Sequence, residues 1–151
     1  MQLNSQTQKL DKFSNKTSQN NIPQSLPQET IDRLVNLYNQ GEFSTVVEQA
    51  QVLTNEYPKA LIIWNILGAS AAQIGMSDQA VIAFKKVISF NPDYAEAYSN
   101  MGVSLHNQGK LDQALEAYKK AISLKPDYTN AYFNMGNTLK DQGKFEKAIK
   151  A

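Results

Sequence analysis

The chain has 151 residues, 42% of them apolar and 19% charged, a length and balance that suit about one soluble globular domain. Fifteen Lys and Arg against 14 Asp and Glu leave a net charge of +1. That field is too weak to make nucleic acid or an anionic membrane the main partner, and the absence of cysteine excludes a disulfide framework, a thiolate zinc site and a cysteine nucleophile.

The opening residues, MQLNSQTQKLDKF, hold no apolar run like a signal-peptide core. No later segment approaches the roughly 20 apolar residues of a membrane helix, so a cytoplasmic protein is expected. Residues 1–26 are rich in Gln, Asn, Ser, Thr and Lys, and their isolated Leu10, Phe13, Ile22 and Leu26 follow no period. Such a segment buries too little apolar surface to offset its ordering entropy, and a disordered polar tail is expected, punctuated at its end by Pro23 and Pro27.

From Gln28 the pattern is helical, with Ile31, Leu34, Val35 and Tyr38 at the spacing of one face and Gly41 suited to a left-handed cap. A second helix is expected from about Phe43 to Tyr57, ended by Pro58. The same plan then recurs. Leu61–Tyr94, Ala95–Tyr128 and the segment from Thr129 follow one template, with Gly41, Gly75, Gly109 and Gly143 each 34 apart between paired helices, and Pro58, Pro92 and Pro126 each 34 apart after them. Four helix hairpins are therefore expected over 27–151, at 27–60, 61–94, 95–128 and an incomplete 129–151.

In the unit at 95–128, Tyr98, Met101, Gly102 and Leu105 form the inner stripe of the first helix, and Leu111, Ala114, Leu115, Tyr118, Ala121 and Ile122 that of the second. Asp93 and Glu96 have the spacing of a capping box, and Asp127 can cap the next unit. Gly68, Gly102 and Gly136 lie inside predicted helices, where glycine costs roughly 1 kcal/mol against alanine. Close approach of the paired helix, at Ala80, Ala114 and Ala148, accounts for them; they follow no strand and make no phosphate-binding glycine motif.

These residues, an aromatic at Trp64, Tyr98 and Tyr132, then Leu67-Gly68, Met101-Gly102 and Met135-Gly136, then Ala80, Ala114 and Ala148, Phe84 and Tyr118, and the prolines, resemble the tetratricopeptide repeat. The resemblance covers 61–151 strongly and 27–60 degenerately, since Thr30, Leu34 and Val46 replace the aromatic, the glycine and the alanine. It implies an all-α fold, a right-handed superhelix of antiparallel helix pairs, whose first helices line a concave groove that binds peptides or extended protein segments. Arrays that resemble this one also precede glycosyltransferase or sulfotransferase domains.

On the central unit the face beside the packed stripe carries Glu96, Ser99, Asn100, Val103 and Asn107, with His106 at its edge. The matching sets are Ile62, Asn65, Ile66, Ala69 and Gln73 before it, and Asn130, Phe133, Asn134, Asn137 and Asp141 after it, with Lys140 at the edge. Asn100 and Asn134 hold the same place in adjacent units, and a primary amide offers both donor and acceptor to a peptide backbone. The asparagine ladder of repeat-bearing protein O-glycosyltransferases is similar, but Ile66 breaks the third rung. Two readings stay open, a ladder for peptide backbone and a plain solvated polar face.

His106 is the one histidine, with nothing in the sequence to build a metal site or nucleophilic triad around it, and groove polarity or exposure is expected. Lys85-Lys86 and Lys119-Lys120 fall on the outer face of second helices, where solvation is expected. A clamp for an acidic chaperone tail needs several cations in the groove, and only Lys140 is available. Ala151 falls inside a second helix and leaves Met135, Leu139, Phe145, Ala148 and Ile149 without a following unit, so the chain is expected to continue or two chains to stack there. The expected function is a non-enzymatic interaction module with a protein or peptide partner, no metal and no cofactor. The alternatives are the substrate-recruiting part of a larger transferase and a self-associating scaffold.

Overall fold

The computed structural model describes residues 25–150. The polar tail expected over 1–26 lies outside them but for its end, where Leu26 is half-buried against the first core and so belongs to the folded part. Seven helices follow in order: α1 (Gln28–Asn39), α2 (Phe43–Glu56), α3 (Leu61–Gln73), α4 (Ser77–Phe90), α5 (Ala95–Asn107), α6 (Leu111–Leu124) and α7 (Thr129–Lys150). The described residues contain no strand, and the fold is an all-α helical-repeat solenoid.

Each of the first three turns is built alike. Gly41, Gly75 and Gly109 take φ of 78°, 77° and 76°, a left-handed backbone that only glycine adopts without strain. The residue after each glycine donates its N–H to the carbonyl five back, as Lys110 does to Leu105 at 3.0 Å, and the glycine itself donates to the carbonyl three back, as Gly109 does to His106 at 2.8 Å. This paired reversal closes the first helix and aims the second back along it. No side chain caps α5, so the expected capping box of Asp93 and Glu96 does not form: the Asp93 N–H is held by Asn91 Oδ1 at 3.2 Å, and Glu96 reaches Lys125 instead. Asp127 is exposed.

The fourth turn is absent. Gly143 sits inside α7, which runs straight from Thr129 to Lys150, so the expected incomplete hairpin at 129–151 is a single helix. A reversal gives up helical hydrogen bonds, a loss that apolar burial has to offset; residues 144–150 bring only Phe145, Ala148 and Ile149 to that exchange, against the full apolar stripe of α6. Phe145 and Ile149 are in consequence 65% and 72% exposed.

The paired helices meet at glycine. A methyl group placed on Gly68 would stand 2.9 Å from the Phe84 ring, and one on Gly102 would stand 2.6 Å from the Tyr118 ring, so the aromatic of each second helix fills the space that a side chain would take. Phe84 and Tyr118 are the largest wholly buried side chains, and Ala80 and Ala114, one turn earlier, are wholly buried beside them. Burial pushes the Tyr118 hydroxyl above its usual pKa, with the neighbouring Thr138 hydroxyl acting in the opposite direction. Two cores result, one centred on Phe84 and one on Tyr118, and Met101 packs against both.

Polar links repeat from unit to unit. Gln108 donates to Asp78 and Gln142 to Asp112, the same pair displaced by one repeat. His106 on α5 lies between Asp141 and Thr138 of α7, with Nε2 at 2.9 Å from Asp141 Oδ2 and Nδ1 at 2.8 Å from Thr138 Oγ1. An ionised carboxylate only accepts, so Nε2 carries a proton. In the neutral ring Thr138 then donates to Nδ1; in the imidazolium Nδ1 donates to Thr138, whose hydroxyl turns to the Asn134 carbonyl at 2.9 Å. Thr138 is wholly buried and no substrate reaches its hydroxyl, so this threonine, histidine and aspartate clasp α7 to the array.

Gly102→Ala is expected to lower stability by about 1–3 kcal/mol through overpacking. Gly136→Ala, with open space at the same place on α7, is expected to raise it by up to about 1 kcal/mol. Urea unfolding followed by circular dichroism reads both, and shifts of one sign would show that the aromatic contact does not set the helix spacing. A double-mutant cycle on His106→Ala and Asp141→Ala is expected to return a coupling of about 0.5 kcal/mol, modest because both side chains are partly solvated. A cycle that closes to zero would remove the clasp.

Candidate functional site

Curvature follows from which helices touch. Among the described residues α1 contacts α3, α3 contacts α5 and α5 contacts α7, while α2, α4 and α6 do not contact one another. The first helices are therefore on the inside of the curve and the second helices on the outside. The side chains that the first helices leave open line a groove along this inner side.

The expected groove residues divide by position within the repeat. Ile66, Asn100 and Asn134 occupy one row and are all half-buried, as are Ala69 and Val103 one turn on, where Asn137 is exposed. Ile62 is 40% exposed, Glu96 is half-buried and Asn130 is exposed at the entrance; Gln73 and Asn107 are exposed at the far end, where Asp141 is half-buried by His106. Lys140 is exposed and His106 half-buried at the edge.

The row at 65, 99 and 133 behaves differently. Ser99 is 2% exposed and Asn65 half-buried, while Phe133 is 68% exposed. This row faces the seam with the following unit: Asn65 Nδ2 donates to the Tyr94 hydroxyl just before α5 at 3.3 Å, and no unit follows α7 in the described residues to cover Phe133. Ser99 is therefore a seam residue and not a groove contact, which corrects its expected place.

The inner side also holds a pocket that the repeat pattern missed. Val35 and Tyr38 of α1, with Asn65, Ile66 and Ala69 of α3, enclose about 250 Å3. In the sequence Val35 and Tyr38 read as part of a packed stripe, yet Val35 is 38% exposed and only Leu34 of that stripe is fully buried. The signal available was the 34-residue offset, which puts Val35 in the same row as Ala69 and Val103. Asn65 Oδ1 is buried there without a partner.

Charge on the groove rows is negative. Asp32, at the place that Ile66 holds on α3, accepts from the Gln28 amide at 2.9 Å; Glu96 pairs with Lys125 at 3.4 Å; Asp141 faces His106. The outer lysine pairs are exposed as expected, although Lys86 also sits 5.8 Å above the Trp64 ring. The described residues contain no cluster of three His, Cys, Asp or Glu that could hold a metal ion, and no helix among them is long and apolar enough to cross a membrane.

Comparison with known proteins places this geometry. The chain is 34% identical over 66 residues to the peroxisomal targeting signal receptor of Candida albicans, and 28% identical over 84 residues to that of Kluyveromyces lactis. These matches span 44% and 56% of the chain but only 11% and 15% of the receptors. The crystal structure of MamA is similar over 92% of this chain and 78% of its own, with a TM-score of 0.73 and 26% identity. The first tetratricopeptide domain of human RPAP3 shares the fold at a TM-score of 0.72 and 15% identity, over 78% of this chain and 93% of its own. Tetratricopeptide-repeat family models match residues 61–94, 83–116 and 104–143, so the chain carries tetratricopeptide repeats from 61 to 143.

Proposed function

We propose that the chain is a protein-interaction module that holds an extended segment of a partner along the inner side of its helical array. The observation that carries this reading is the open row of Ile66, Asn100 and Asn134, which lie half-buried in equivalent places on three successive first helices. Among the described residues the Asn100 and Asn134 side chains make no hydrogen bond, so each primary amide can donate to a carbonyl and accept from an N–H of a bound backbone. Structures that share the fold support the reading: one is a first RPAP3 domain bound to an HSP90 peptide, SRMEEVD, and another a second RPAP3 domain with an HSP70 peptide, SGPTIEEVD. The curated relatives are named as receptors for a targeting signal.

The same asparagines would serve the recruiting part of a larger transferase, a reading that rests on them alone. Self-association is favoured by one separate observation, the exposed Phe133, Leu139, Phe145 and Ile149 on α7.

Peptides selected from a random displayed library against the full chain are expected to lose about tenfold in affinity when Asn100→Ala and Asn134→Ala are combined, the loss of roughly one net hydrogen bond. Isothermal titration measures it, and circular dichroism checks that the array stays helical. Unchanged affinity would show that the asparagines are merely solvated; failure to select any peptide would sink the groove reading.

A further inference from the structure

The inner side is not uniform along its length. Towards α7 its rows are polar, with Asn130, Asn134, Asn137 and Asp141, whereas between α1 and α3 it opens into the pocket of Val35, Tyr38, Ile66 and Ala69. At about 250 Å3 this pocket is smaller than the roughly 300–1,000 Å3 of sites that enclose a drug-sized molecule, and it suits one apolar side chain. Asn65 stands in its wall. The Asn65 amide is committed on one side, since Nδ2 donates to the Tyr94 hydroxyl, and its Oδ1 is buried with nothing to accept from.

Charge selects what flanks the insertion. Of the three carboxylates on the groove rows, Asp141 faces His106 and Glu96 faces Lys125, but Asp32, one turn from Val35 on α1, meets among the described residues only the neutral Gln28 amide. Arg33, its neighbour in sequence, lines a separate cleft with Thr30, Gln49 and Glu56. The charge left uncompensated beside the pocket is negative, which attracts a cation and repels an acidic tail. The geometry points to a partner segment whose aliphatic or aromatic anchor residue enters the pocket between α1 and α3, next to a lysine or arginine that meets Asp32. This names the ligand chemistry of the groove and rests on the groove reading above.

The test uses the full chain and short fluorescein-labelled peptides on a Gly-Ser background, with Leu or Ala at the centre and Lys or Glu beside it, read by fluorescence anisotropy. The Leu peptide with Lys is expected to bind about tenfold tighter than its Ala counterpart. It is also expected to bind several-fold tighter than the Leu peptide with Glu, a margin that shrinks as salt is added. Ala69→Leu fills the pocket and removes the preference for Leu; Asp32→Lys inverts the preference for Lys over Glu. Circular dichroism confirms that both variants keep their helices. If Ala matches Leu, or Glu outbinds Lys, while binding still falls with Asn100→Ala and Asn134→Ala, the anchor is overturned and the groove stands. If no peptide of the set binds and library selection is also empty, both are overturned.

Discussion

The spacing of the paired helices rests on one contact, an aromatic ring of the second helix lying against a glycine of the first. Phe84 on Gly68 and Tyr118 on Gly102 leave no room for a Cβ, and Ala80 and Ala114 let the backbones close up on either side. Glycine inside a helix is unfavourable by roughly 1 kcal/mol, so the ring burial it permits has to exceed that. In these two pairs the contact sets how near the second helix lies; the first pair, with Leu34 and Ala50 in these places, is packed without it.

Where the contact is missing the repeat loosens. Gly136 has open space around it, α7 does not turn at Gly143, and the apolar residues that belong to the missing hairpin stay in solvent. The last helix is held by the buried Ala131, by Met135 against the second core and by polar groups, His106 between Thr138 and Asp141, and Gln142 against Asp112. A hydrogen-bonded clasp fixes direction well and contributes less than a buried ring. The array thus passes from the apolar core around Phe84 to a last helix that leaves much of its apolar surface bare.

The groove also changes in chemistry from unit to unit. Side chains at one repeat position change from Asp32 to Ile66, Asn100 and Asn134, and at another from Val35 to Ala69, Val103 and Asn137. The packed positions cannot vary without disturbing the helix spacing, so differences between units collect in the rows that face the open side. That division makes a solenoid a surface on which successive repeats offer different contacts to one long ligand.

The sequence by itself determined the first six helices, their pairing and the 34-residue register, because those follow from local periodicity, from glycines that alone tolerate the turn, and from small residues opposite large ones. It also picked out Asn100 and Asn134 as equivalent. Only the tertiary structure decided what each exposed-looking position meets. Ser99 and Phe133 share one place in the repeat, yet one is buried at a seam and the other bare, since exposure depends on whether a further unit packs there. The pocket of Val35, Tyr38, Ile66 and Ala69 joins side chains from two helices about one repeat apart, and His106 meets residues 32 and 35 positions away. The continuous α7 is likewise a balance of burial against backbone hydrogen bonds. Periodicity along one helix carries no record of such meetings, which arise from the angle and distance at which separate helices come together.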